Sequence, residues 1–130
     1  LYAIAMASFL LLDFFWLGFL AKGFYKEQIG FLMTRQIRWG AAVLFYALYV
    51  IGLLVFVISP AMKQQSGTSA FLYGALFGLI AYATYDLTNL ATLQGWPLKV
   101  VIYDLLWGAL ISSAVCSVTY WAGKIWKISL

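Results

Sequence analysis

The chain has 130 residues, of which 65% are hydrophobic and 9% charged, and it carries a formal net charge of +4 with no histidine and one cysteine. A soluble domain typically carries ~25% charged residues, so this chain lacks the polar surface with which to face water on all sides. The missing histidine excludes the usual haem, di-iron and copper sites and His-based acid–base chemistry, and the lone Cys116 excludes an intrachain disulfide and an iron–sulfur cluster held by this chain alone.

A metal held only by carboxylate and carbonyl oxygens stays open, but no cofactor and no metal-ligand set is expected. The basic residues form no dense stripe on a polar helix. They argue against nucleic acid as a partner and for a lipid bilayer, with Lys and Arg at its surfaces.

A spanning helix needs ~20 apolar residues, and four such runs occur, at about 1–21, 39–60, 70–93 and 97–123. They predict an all-α integral membrane four-helix bundle, one domain over 1–130, with short loops and one longer interfacial connection. The first run has no basic start and no small-residue cleavage site, and it contains Asp13. It therefore reads as a span and not as a signal peptide. It starts at Leu1 and not Met, so the natural start is expected to have been trimmed. Ala21 to Arg38 is the longest connection. Its apolar residues Phe24, Ile29, Phe31, Leu32 and Met33 alternate loosely with Lys26, Glu27, Arg35 and Arg38, which predicts a short amphipathic helix lying on the membrane.

The second span begins at Trp39 and is expected to end near Ser59, closed by Pro60. A polar, flexible connection over 61–69 follows. The third span runs from Ala70 to about Leu93. Gln94-Gly95-Trp96-Pro97 reads as a tight turn, with Gly95 as a helix cap and Pro97 at the start of the next helix. The fourth span runs to about Gly123, and Trp96, Trp121 and Trp126 read as interfacial aromatic-belt residues.

Only four acidic residues occur, and Asp13, Asp86 and Asp104 lie inside spans. Four spans place the end of the first, the start of the second, the end of the third and the start of the fourth on one side, here side B. Each of the three acids then sits roughly 10 Å below that side at 1.5 Å rise per residue. Tyr46 joins the layer from the second span. Ionisable residues at such depth are expensive and are functional candidates by default.

Helical spacing puts Gly74, Gly78, Tyr82, Tyr85, Asp86 and Asn89 on one face of the third span, and Asp104, Gly108, Ser112, Cys116 and Thr119 on one face of the fourth. Gly74 and Gly78 read first as packing residues that let helices approach closely. The run Tyr82 to Thr92 is dense in hydroxyl and Asx groups, which predicts a local distortion near Asp86. Asp13-x-x-Trp16 and Asp104-x-x-Trp107 match each other in helices of opposite direction, which fits an inverted pairing and equally a chance match or local packing.

Three converging carboxylates cannot all be ionised in a low dielectric without compensation. They could be neutral donors to Tyr and Asn, pair with Arg35 or Arg38 at the rim, or hold a cation. Walls of Trp16, Trp107, Tyr46, Tyr49, Tyr82 and Tyr85 suit an organic cation or a flat ligand. Simple interhelical glue is the competing account, at ~0.6 kcal/mol per bond in membranes.

Tyr82-Ala-Thr-Tyr85-Asp86-Leu-Thr88-Asn89-Leu-Ala-Thr, then Trp96-Pro97 and Asp104-x-x-Trp107-Gly108, resemble domain-of-unknown-function family 2177. Asp13-x-x-Trp16-Leu-Gly18 and Phe45-Tyr46-x-x-Tyr49-x-x-Gly52 are similar to that family's earlier segments. The resemblance covers nearly the whole chain. It implies a small four-helix protein of a bacterial inner membrane, and it supplies no activity.

Three functions compete: binding or transport of a cation, proton or small amphipathic ligand, as a homo-oligomer; a metal-free enzyme acting on a lipid or isoprenoid; and a structural or partner-binding subunit. Five basic residues on side B (Lys22, Lys26, Arg35, Arg38, Lys99) against three on side A (Lys63, Lys124, Lys127) favour side B in the cytoplasm.

Overall fold

In hydrocarbon the backbone has no water to bond, so an apolar run must satisfy its own N–H and C=O groups, and a helix does this within the segment. The computed structural model describes residues 1–128, so the last two residues of the expected 1–130 domain lie outside the described residues. Four helices are long and apolar enough to cross a membrane: Tyr2–Leu20, Trp39–Gln64, Gly67–Thr92 and Leu98–Ile125, the first to fourth spans. Among the described residues there is no strand. In the long connection, the amphipathic stretch forms a short helix, Phe24–Ile29, followed by a single 3-10 turn, Gly30–Leu32.

The second span does not stop at Pro60. Proline lacks an N–H, and its ring crowds the carbonyl four residues back. The helix widens to a π turn over Leu54–Ile58 just before the proline and then continues to Gln64. The predicted flexible connection shrinks to Gln65 and Ser66, and the Ser66 hydroxyl accepts from the Ser69 N–H at 3.0 Å to cap the third span.

The distortion expected near Asp86 is absent. The third span is α-helical from Gly67 to Thr92. Thr84 and Thr92 donate to the carbonyls of Ile80 and Thr88, each at 2.7 Å, and Thr88 donates to that of Thr84. These hydroxyls bond back to carbonyls of their own helix on an exposed face, and the α-helical pattern runs unbroken past Asp86. The irregular turns lie instead in the second span and at the end of the first, over Trp16–Leu20.

The fourth span is the most buried of the four, and every other span packs on it. Its whole predicted stripe, Asp104, Gly108, Ser112, Cys116 and Thr119, is buried. Contact with the third span is the most extensive in the molecule. A Cβ at Gly78 would strike the Gly108 carbonyl, and a Cβ at Gly108 would strike the Tyr82 ring. Only bare backbone permits that approach. The first span packs on the fourth and the second, around Phe9, Tyr49, Leu53 and Ile111. The second span meets the third chiefly through its π turn. Nearer side B these two part, and a cavity separates them.

Gly78→Ala should destabilise the bundle by about 1–3 kcal/mol, the usual cost of overpacking. Thermal unfolding in detergent should show a lowered midpoint. Gly18→Ala is the control, since a Cβ there meets nothing within 4 Å. Equal shifts in both variants would refute the close-approach account.

Candidate functional site

The two Asp-x-x-Trp motifs face each other. The indoles of Trp16 and Trp107 stack with centroids 4.6 Å apart and planes 10° from parallel. Trp107 Nε1–H donates to Asp13 Oδ1 at 3.3 Å, and Tyr46 O–H donates to Asp13 Oδ2 at 2.6 Å. On the other side, Trp16 Nε1–H donates to the Tyr25 hydroxyl at 2.9 Å, and Tyr25 O–H donates to Asp104 Oδ1. Each motif's aspartate is thus tied to the other motif's tryptophan, directly for Asp13 and through Tyr25 for Asp104. Spacing of three within each helix sets Asp and Trp on one face, and antiparallel packing of the first and fourth spans brings the faces together.

Asp86 and Asp104 each lie within two turns of the side B helix ends at Thr92 and Leu98, about 9 Å in at 1.5 Å per residue. Asp86 is 0% exposed. Its polar neighbours include the Asp104 carboxyl and the Trp96 indole, yet neither of its oxygens makes a well-formed hydrogen bond to a protein group. Buried polar groups are nearly always partnered, so this one stands out. Trp96, expected in an exposed aromatic belt, is only 7% exposed. It packs on Val100 and Val101 and edge-on to Tyr85, at 5.7 Å and 89°. Trp121 and Trp126 do lie exposed.

The cavity between the second and third spans measures about 410 Å³. Phe45 and Tyr49 line it from the second span, Ala81, Tyr82 and Tyr85 from the third, and Asp104 from the fourth. Tyr49 and Asp104 are buried, while Tyr85 is 55% exposed, as is Phe45 in large part. The cavity is therefore a cleft open on the lipid-facing side of the bundle, with a carboxyl in an otherwise aromatic wall. Tyr49 is held in place by a 2.6 Å hydrogen bond with Ser112.

Of the predicted residues, Asp104, Tyr82, Tyr85 and Tyr49 line the cleft, Asp86 lies buried next to Asp104, and Asn89 lies half-buried beside Tyr85. Asp13, Tyr46, Trp16 and Trp107 form the adjoining stack. Arg35 and Arg38 stay exposed in the coil before the second span. They do not pair with the acids, whose hydrogen bonds go to Tyr25, Tyr46 and Trp107. Among the described residues, no three of His, Cys, Asp or Glu come together as a metal site.

Tyr25 and Trp96 are the site residues missed by sequence reasoning. The one available signal for Tyr25 was its position as the sole tyrosine of the amphipathic connection, next to Phe24. Phe24, Tyr25 and Ile29 pack on Trp96 and the start of the fourth span. Burial first, then the hydrogen bond and charge of Asp104, push the Tyr25 phenol well above its ordinary value.

A family model described as "Predicted membrane protein (DUF2177)" matches residues 1–121. No curated protein and no solved structure matches the chain.

Tyr25→Phe removes the donor to Asp104 and the acceptor for Trp16, a loss of about 1–3 kcal/mol for stranded buried groups. Amide exchange over residues 21–38 should quicken in this variant; unchanged exchange would mean the bridge holds nothing. Because the folded phenol titrates above the unfolded one, its contribution is full below ~10, the ordinary phenol value, and is lost as pH rises past it. Unfolding midpoints should fall above that pH, and less steeply in Tyr25→Phe.

Proposed function

This chain belongs to the DUF2177 family of predicted membrane proteins, and on that footing we propose that it is a membrane-embedded binding protein. Its cleft takes an amphipathic molecule laterally from the bilayer and holds that molecule's cationic or hydrogen-bond-donating end at Asp104, with Asp86 behind. The observation that carries this reading is the carboxyl of Asp104 in the wall of a lipid-facing aromatic cleft. Pockets lined by aromatic rings with one or two converging polar groups are the usual form of a small-ligand site, and the rings of Tyr49, Tyr82 and Tyr85 suit an ammonium group.

A second reading has its own support. Asp86 is buried without a partner beside another carboxyl. Such a pair can hold and release a proton for metal-free chemistry on a lipid or isoprenoid. Lipid extracts incubated with the protein should then yield a product that disappears with Asp86→Asn.

The binding reading is tested with dodecylamine as the probe, titrated against protein in detergent. Asp104→Asn should weaken binding by roughly 10- to 150-fold, the equivalent of the about 1.5–3 kcal/mol of a hydrogen bond to a charged group. Dodecanol should bind more weakly than the amine to the wild type. Equal affinity of wild type and Asp104→Asn for the amine would sink the reading.

A further inference from the structure

A second cavity, of about 360 Å³, lies at the opposite end of the bundle, on side A. Met62 and Gln65 of the second span and Tyr120, Lys124, Lys127 and Ile128 at the end of the fourth line it. Tyr120 is 1% exposed, and its buried hydroxyl has no hydrogen-bond partner in the protein. Lys124 sits over the Trp121 ring at 5.2 Å, which fixes its stem near the cavity.

The charge balance is one-sided. All four acidic side chains, Asp13, Glu27, Asp86 and Asp104, belong to the side B half, so Lys63, Lys124 and Lys127 face no acidic side chain on side A. The helix ends here carry a negative dipole that disfavours an anion; Lys63, Lys124 and Lys127 offset it, and the Ala61, Ala122 and Gly123 carbonyls accept from Ser66 N–H at 3.0 Å, Trp126 N–H at 3.0 Å and Ile128 N–H at 2.9 Å. The two caps share an oddity. Gln65 (φ 51°) and Lys127 (φ 52°) are the non-glycine residues with positive φ among the described residues. Each occupies the left-handed cap position that glycine normally takes. Both side chains line the same cavity, where a glycine would supply none.

We propose that this cavity is a phosphate-binding site for the head of an anionic membrane lipid, with Lys124 and Lys127 supplying charge, and Tyr120 and Gln65 supplying hydrogen-bond donors. The apolar walls at Met62 and Ile128 would receive the first carbons of the acyl or glycerol portion. The site is independent of the Asp104 cleft.

The experiment titrates purified protein in detergent with dihexanoyl phosphatidic acid, with inorganic phosphate and dihexanoyl phosphatidylcholine in parallel. The phosphatidic acid should bind, and Lys124→Gln with Lys127→Gln should weaken it by about tenfold or more, as expected for lost charged hydrogen bonds. Tyr120→Phe should weaken it less. Lys127→Gly separates binding from stability. It relieves a left-handed side-chain-bearing residue, so its unfolding midpoint should hold or rise while its affinity for phosphatidic acid falls. Saturable binding of inorganic phosphate with the same variant dependence would assign the site to free phosphate; binding of the lipid alone assigns it to a headgroup. Absence of phosphatidic acid and phosphate binding, or affinity unchanged in Lys127→Gly and in the double lysine variant, would overturn the proposal.

Discussion

The site depends on one contact, the backbone-to-backbone approach of the third and fourth spans at Gly78 and Gly108. Lipid offers no hydrophobic drive for helix association, so close packing must supply it. With no Cβ in the way, the two helices pack tightly enough to bury Asp86 fully and set it beside Asp104. A wider separation would admit lipid or water between the carboxyls. The side chains that surround the pair, Tyr82, Tyr85 and Trp96, belong to the same two helices and the turn that joins them.

The first span is added to this pair through aromatic and polar contacts. Beside the Trp16–Trp107 stack, Asp13 and Asp104 each accept from a donor on another element. A carboxyl in hydrocarbon is tolerated when its oxygens are so engaged. Asp86 is the exception: it is fully buried, and neither of its oxygens has a hydrogen-bond partner in the protein. Asp13 and Asp104 thus both tie elements together, and Asp104 also lines the cleft.

The second span makes the cleft by what it leaves open. Its widened turn over Leu54–Ile58 carries the helix past Pro60 and supplies its main contact with the third span. Toward side B the helices separate, and the gap stays lined with rings because Phe45 and Tyr49 face Tyr82 and Tyr85 across it. The two ends of the molecule are then electrostatically unlike. Acidic side chains and aromatic rings mark side B, and lysines without an acidic side chain among them mark side A.

The sequence by itself determined the four spans, the buried stripe of the fourth helix, the inward placing of Gly74, Gly78 and Asp86 on the third, and how far Asp86 and Asp104 lie from their helix ends. These are local properties: apolar length sets a span, and a repeat of three or four residues sets a face. It also pointed to the mutual likeness of the two Asp-x-x-Trp motifs. Only the tertiary structure decided that their tryptophans stack, that Tyr25 bridges to Asp104, that Trp96 is buried beside Asp86 and that Arg35 and Arg38 stay apart from the acids. It also decided the unbroken third helix, the passage through Pro60 and the cleft. Each of these depends on how far apart two helices lie and how each is rotated about its axis. Those quantities come from side chains distant in the chain meeting in space, and no spacing along one helix encodes them.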